Sequence, residues 1–199
     1  MEESKGKEFI FTWVIENFSF CYQRYEQTFK SPMFIADNME KSKWIVLLYP
    51  RGWKDDNYIS VFLRRENYNP FSHKVNFEFQ LVAVDGVLKT MRGNNHLFNT
   101  NLSPGFPDFL HRDRIINDRD FYLPHDTFTL RCRLWYPDGE ILESGQCFAR
   151  TRIGVERMCF VWDLAKIQQT SRVFEEGNFP HYLSIRRNSI EINEFLLDL

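Results

Sequence analysis

Hydrophobic and polar residues alternate most regularly between His73 and Gly86, in the segment HKVNFEFQLVAVDG. Its apolar positions share one parity, and its polar positions share the other: Val75, Phe77, Phe79, Leu81 and Ala83 against Asn76, Glu78 and Gln80. A period of two sends successive side chains to opposite faces, so this segment is predicted to be a half-buried, central antiparallel strand. Asp85-Gly86 predicts a tight hairpin turn at its end, because these residues tolerate the positive φ angles of such turns.

Further short runs with strand-like patterns occur along the chain. They lie at residues 9–15, 29–36, 43–49, 58–65, 87–91 and 127–136. Turn signals separate several of them, among them PRG at 50–52 and PDG at 137–139. Many short strands between turn signals predict an all-β fold, an antiparallel β-sandwich.

One long connection interrupts this series, at residues 92–114. The spacing predicts an irregular segment with a brief helical turn at 107–112, where Pro stands at a helix-start position. Connections of this length in compact domains are usually functional or mobile. This one is too apolar for a solvated linker, so we expect some of its aromatic side chains to line a surface.

Charge and hydropathy exclude several classes of partner. The 25 basic and 27 acidic residues are interspersed and give a formal net charge of -2, which indicates no surface for nucleic acid or an anionic membrane. The start, MEESKGKEF, has no apolar run of the signal-peptide kind, and no later run is long enough to span a bilayer. We therefore expect an intracellular protein, in the nucleus or the cytoplasm.

The cysteines and histidines suggest no metal chemistry. Four cysteines are scattered without C-x-x-C spacing: Cys21, Cys132, Cys147 and Cys159. This spacing argues against a zinc site and, in a reducing compartment, against a disulfide framework. Cys132 shares its parity with apolar neighbours and is predicted to be a small buried side chain. We expect no metal and no other cofactor.

Catalytic motifs are not recognisable in the sequence. His111-Arg112-Asp113 imitates the kinase triplet, but Asp118 stands where that pattern requires Asn, and no glycine-rich phosphate loop precedes it. No G-x-S-x-G, H-E-x-x-H or Walker sequence is present. The sequence therefore predicts no catalytic residue and no enzyme. A hydrolase assembled from dispersed Cys, His or Ser side chains remains the third alternative, after the two binding functions given below.

Seven blocks in a fixed order carry a resemblance to a known family: FTWVIENFSF, KWIVLLYPRG, YISVFLRR, VNFEFQLVAVDG, PGFPDFLHRD, LPHDTFTLRCRL and SGQ. Over about residues 9–147 the chain resembles the MATH domain (meprin and TRAF-C homology). The likeness is greatest to the substrate-binding domains of speckle-type POZ-like ubiquitin-ligase adaptors. The resemblance implies an eight-stranded antiparallel sandwich with a shallow groove for an extended Ser/Thr-rich peptide from a client protein.

The resemblance also implies a set of peptide-binding positions: Phe62, Phe77, His96, Phe98, Ser103, Pro104 and Phe106. The family's Asp-Trp pair is replaced by Ser103-Pro104, which removes a charge and a large ring from the groove wall. The residue pattern leaves alternatives open. Parity places Phe62 on the polar face of its strand, where it either lines a groove or packs under a loop. Parity places Phe77 in the core, and the resemblance places it on a groove rim.

The tail has a pattern of its own. The spacing F-x-W-x-L at 160–164 repeats F-x-W-x-I at 11–15. Residues 151–199 are therefore a C-terminal extension that is either a curtailed second MATH-like repeat or an aromatic strand pairing with the first sandwich.

The implied function is recognition of client peptides within a ubiquitin-ligase adaptor. The ligase machinery would be a partner only if a BTB domain exists outside this chain. The alternative is a TRAF-like signalling scaffold that binds receptor tails.

Overall fold

A computed structural model describes residues 6–66, 74–98, 103–137, 141–154, 184–187 and 190–193. The chain divides into two compact units, Met1–Val155 and Glu156–Leu199. The described part of the first unit contains ten strands: β1 (Gly6–Glu16), β2 (Phe29–Lys30), β3 (Phe34–Ala36), β4 (Ser42–Tyr49), β5 (Tyr58–Arg65), β6 (Lys74–Ala83), β7 (Gly86–Leu97), β8 (Gly105–His111), β9 (Thr127–Trp135) and β10 (Ile141–Arg152). Two short helices, α1 (Arg112–Asn117) and α2 (Arg119–Tyr122), connect β8 to β9.

These strands form two five-stranded sheets. Sheet A has the order β10-β1-β9-β6-β7, and sheet B has the order β2-β4-β5-β8, with β3 also paired to β4. The predicted all-β sandwich is confirmed. The first unit has ten strands in its described residues, more than the eight expected. The sandwich is also not entirely antiparallel, because β1 and β10 pair in parallel. This pair is parallel because β9 runs antiparallel to β1, and β10 then runs back on the other side of β1.

The core lies between the sheets and contains the apolar parity of each predicted strand. Phe77, Phe79 and Leu81 of β6 have relative exposures of 1%, 0% and 0%. They face apolar residues of sheet B such as Val61. Cys132 is buried in the same core, as predicted. Burying each large apolar side chain contributes roughly 1.5–3 kcal/mol, so these facing rows hold the layers together.

The polar parity of β6 is also largely covered, so the strand is not half-buried as the alternation predicts. Glu78 is buried because Arg92 donates to its Oε2 from Nε (2.9 Å) and Nη2 (2.6 Å). Arg92 in turn lies over the Trp135 ring, 5.2 Å from its centroid. A charge pair and an aromatic ring therefore shield a polar face that alternation alone assigns to solvent.

The predicted irregular connection over residues 92–114 is wrong at both ends. β7 continues to Leu97, and β8 occupies most of the predicted helical turn, so that helix begins only at Arg112. Pro107 lies within β8, which is an edge strand where a missing N–H need not break a ladder bond. Gly105 allows β8 to dock, because a Cβ at this position would lie 2.2 Å from the carbonyl oxygen of Val61.

The hairpin between β6 and β7 also differs in detail from its prediction. Its turn residues are Val84 and Asp85, and Gly86 opens β7 with a φ of 106°. Gly86 therefore supplies the positive φ, while Asp85 does not adopt one.

In the second unit, β11 (Ser184–Arg187) and β12 (Ile190–Asn193) pair antiparallel. The F-x-W-x-L pattern at 160–164 lies outside the described residues, as do His73, Asp138, Gly139 and Cys159. The partial repeat and the domain limits 9–147 and 151–199 therefore stay predictions.

Candidate functional site

The candidate site lies where two edge strands meet. β7 is the last strand of sheet A, β8 is the last strand of sheet B, and the two contact each other on one side of the sandwich. In the part of the chain that the structure describes, no further strand pairs with the outer side of either. An edge strand presents a row of unpaired N–H and C=O groups, with which an extended peptide can pair.

Four aromatic side chains gather at this edge. The Phe77 ring is the centre, with its centroid 5.2 Å from His96, 5.8 Å from Phe98 and 5.7 Å from Phe106. We call these four residues the edge cluster. Gly93 of β7 makes the cluster possible, because a Cβ there would lie 2.5 Å from Cε1 of Phe77.

The edge cluster has a buried layer and an accessible layer. Phe77 and Phe98 have relative exposures of 1% and 2%, whereas His96 and Phe106 are half-buried. Phe98 packs edge-on against Trp44, with the centroids 4.8 Å apart. The predicted position of Phe77 on a groove rim is therefore corrected. It lies on the inward parity of β6, where the rings around it cover it, and it supports the two accessible side chains.

Phe62 lies in a different group, on the outer face of sheet B. Its ring is 5.5 Å from Tyr49 and 6.4 Å from Trp53, centroid to centroid. It pairs in register with Gly105, whereas Val61 pairs with Phe106, so Phe62 and Phe106 point to opposite faces. The structure therefore does not join Phe62 to the edge cluster.

Ser103 and Pro104 immediately precede β8. Both are half-buried, and the carbonyl oxygen of Pro104 accepts a hydrogen bond from the Leu63 N–H at 2.9 Å. This bond fixes the entry of β8 onto sheet B. Neither side chain is charged: Ser103 has a hydroxyl and Pro104 a small apolar ring.

The H-R-D triplet and the cysteines, which could suggest catalysis, have structural roles. His111 caps α1, where its Nδ1 accepts from the Asp113 N–H at 3.3 Å, so the H-R-D triplet is a helix start on the surface. Within the described ranges, no group of three or more His, Cys, Asp or Glu is placed to hold a metal ion. Three cysteines are free thiols, and burial raises the pKa of Cys21 to about 12 and that of Cys147 to about 11. Such thiols ionise poorly at neutral pH and are weak nucleophiles.

Sequence reasoning missed four residues that shape the edge cluster and the surroundings of Phe62. Gly93 and Gly105 are both positions where the backbone meets a ring, and each is a glycine inside a strand, which is a recognised signal of close approach. Tyr49 and Trp53 flank the turn after β4, and only the folded structure brings them beside Phe62.

The sequence profile described as "MATH domain" matches residues 10–134. Among curated proteins, mouse (Mus musculus) TD and POZ domain-containing protein 2 is 32% identical over 132 residues, which cover 64% of this chain and 36% of that protein. Mouse TD and POZ domain-containing protein 1 is 29% identical over 136 residues, covering 66% and 37%. The chain thus spans little more than a third of the length of these relatives.

Among solved structures, Notothenia coriiceps TRAF5 superimposes with a TM-score of 0.54 at 13% identity, covering 75% of this chain and 76% of that chain. At this identity the likeness concerns the fold alone. In the ranges that the structure describes, no helix is both long and apolar enough to cross a membrane.

Proposed function

The chain belongs to the MATH-domain family, whose domains bind segments of partner proteins, and from that premise we propose that it binds extended peptides along the β7–β8 edge. The supporting observation is that His96 and Phe106 are half-buried and lie against a buried aromatic layer, on two strands whose outer edges are unpaired in the described residues. Backbone pairing supplies affinity in this mode of recognition, and side-chain pockets supply specificity. The chain acts as a binding module and not as an enzyme.

The preferred ligand is an extended Ser/Thr-rich segment of a client protein. Ser103 offers its hydroxyl to such a peptide and carries no negative charge. An acidic side chain at these positions would repel phosphate or carboxylate groups, and Ser103 and Pro104 are both uncharged. The site is therefore tolerant of acidic neighbours in the peptide. We also expect it to bind such a peptide more weakly than a site with Asp and Trp in place of Ser103 and Pro104.

The setting that we propose is the substrate-recognition part of a ubiquitin-ligase adaptor, in the nucleus or the cytoplasm. The relatives whose names include a POZ domain support this setting, and the ligase machinery would be engaged only through a BTB domain outside this chain. A TRAF-like signalling scaffold that binds receptor tails is the second candidate, because the fold resembles that of a TRAF protein.

The test is isothermal titration of the full chain with a Ser/Thr-rich peptide, comparing Phe106→Ala with Phe148→Ala. Phe148 is a matched control, since it is 59% exposed and lies on β10, the other edge strand of sheet A. Truncating an aromatic anchor costs about 2 kcal/mol or more, so Phe106→Ala should weaken binding at least about thirtyfold. Equal affinities of the two variants would contradict the proposed site.

A further inference from the structure

A second concave surface shares no residue with the edge cluster. It is a cavity of about 570 Å³ between α1, α2 and the chain segments that precede β2 and follow β4. Its lining combines apolar side chains with arginines: Phe18, Ser19, Cys21, Tyr22, Gln23, Pro50, Arg51, Ile59, Arg112, Ile115, Ile116, Arg119 and Leu123. We call it the arginine pocket.

The charge of this pocket has one sign. Arg51, Arg112 and Arg119 are its only lining residues that carry a charge at neutral pH, and none of the lining residues is Asp or Glu. A guanidinium has five N–H donors in a fixed fork that fits a carboxylate. Three such groups around one cavity are complementary to an acidic ligand.

Intramolecular contacts occupy only a small part of these donors. Arg112 donates from Nη1 to the carbonyl oxygen of Asp56 at 3.0 Å, and Arg119 donates from Nη2 to Asp126 Oδ1 at 3.0 Å. Asp126 lies outside the lining. Its carboxylate also accepts hydrogen bonds from the N–H and the Oγ of Ser19, so these bonds occupy both of its oxygens. Among the residues that the structure describes, the Arg51 side chain has no hydrogen bond or ion pair.

The apolar part of the pocket continues onto the surface. Phe18, Ile59 and Leu123 are buried, whereas Tyr22 and Ile116 are 77% and 68% exposed. Exposed apolar side chains beside a concave surface are typical of a protein-binding site. A bare anion would make no use of them.

We propose that the arginine pocket binds a segment of a partner protein in which Asp or Glu alternates with bulky apolar residues. The carboxylates pair with the guanidiniums, and the apolar side chains cover Tyr22 and Ile116. Cooperation of these two contacts distinguishes such a segment from phosphate and from a neutral apolar peptide. This site is separate from the peptide edge at β7 and β8, so a chain could bind two segments of one client.

The test is fluorescence anisotropy on the full chain with a short capped probe peptide in which Asp and Glu alternate with Leu and Phe. Arg112→Glu should weaken binding by about tenfold or more, since a hydrogen-bonded charge pair is replaced by a like-charge contact. Arg114→Glu is the matched control, because Arg114 is an exposed residue of the same helix that does not line the pocket. Ile116→Ala should weaken binding severalfold with an unchanged melting temperature.

Control probes test whether both the acidic and the apolar side chains of the peptide are needed. A probe with Asn and Gln in place of the acids should bind at least tenfold more weakly, and inorganic phosphate should not displace the acidic probe at a matched ionic strength. Equal binding of the neutral probe, displacement by phosphate alone, or equal loss in Arg112→Glu and Arg114→Glu would each overturn the proposal. Phe106→Ala should leave this binding unchanged, which separates it from the edge site.

Discussion

Phe77→Ala tests whether the centre of the edge cluster belongs to the core or to the binding surface. Its ring is 1% exposed and lies within 5.8 Å, centroid to centroid, of Phe79, His96, Phe98 and Phe106. Replacing a buried Phe with Ala costs about 3–5 kcal/mol, because transfer energy is lost and a cavity is left. We expect the upper part of this range, since each aromatic pair adds roughly 0.5–1.5 kcal/mol beyond burial.

Urea unfolding, followed by tryptophan fluorescence, measures this loss as a lower midpoint with an unchanged slope. Phe148→Ala is the control, because a surface truncation of a 59% exposed ring should change stability by less than about 0.5 kcal/mol. Peptide binding by Phe77→Ala should also weaken, since His96 and Phe106 lose their support. A loss of less than about 1 kcal/mol in stability, together with abolished peptide binding, would refute this reasoning and return Phe77 to the rim.

Three further predictions concern other positions. Gly105→Ala should lower the unfolding free energy by about 2 kcal/mol or more in the same urea assay, because the new Cβ would meet the Val61 carbonyl oxygen at 2.2 Å and overpacking costs about 1–3 kcal/mol. Ser103→Asp combined with Pro104→Trp should tighten binding of a Ser/Thr-rich peptide by about tenfold in isothermal titration, and no gain would mean that these positions do not form the wall. Burial raises the pKa of the Asp126 carboxyl, but hydrogen bonds from its serine and arginine neighbours outweigh burial and lower it overall. Asp126 therefore stabilises the fold above its unfolded pKa, and this stability is lost as pH falls through the lowered folded pKa; Asp126→Asn should remove that part of the pH dependence of the melting temperature.

The patterns of apolar residues predict five strands whose inner faces contribute to the core: β1, β4, β5, β6 and β9. The run at 58–65 has the bounds of β5, and the parity of Phe77 correctly predicts a core side chain. Alternation does not predict strands that form because of packing between the sheets. The second half of β7 has few apolar residues, and Pro107 in β8 suggested a helix start because edge position is not visible in local sequence.

The candidate site was less predictable than the fold, because it depends on which strands become neighbours. The seven predicted residues were chosen by resemblance, and the structure distributes them over both sheets: Phe77 and His96 lie on β6 and β7 of sheet A, whereas Phe62 and Phe106 lie on β5 and β8 of sheet B. Phe62 joins Tyr49 and Trp53 on the outer face of sheet B, whereas the half-buried Phe106 packs against Phe77 in the edge cluster. Distances of this kind follow from strand register, and a single residue's displacement in register reverses the face.

Amide chemical-shift mapping by NMR shows residue by residue whether the β7–β8 edge binds an extended peptide. The full chain, labelled with ¹⁵N, is titrated with an unlabelled Ser/Thr-rich peptide. We expect the largest shifts at His96, at Phe106 and at their neighbours along β7 and β8. Shifts confined to β10 or to the arginine pocket would contradict this expectation.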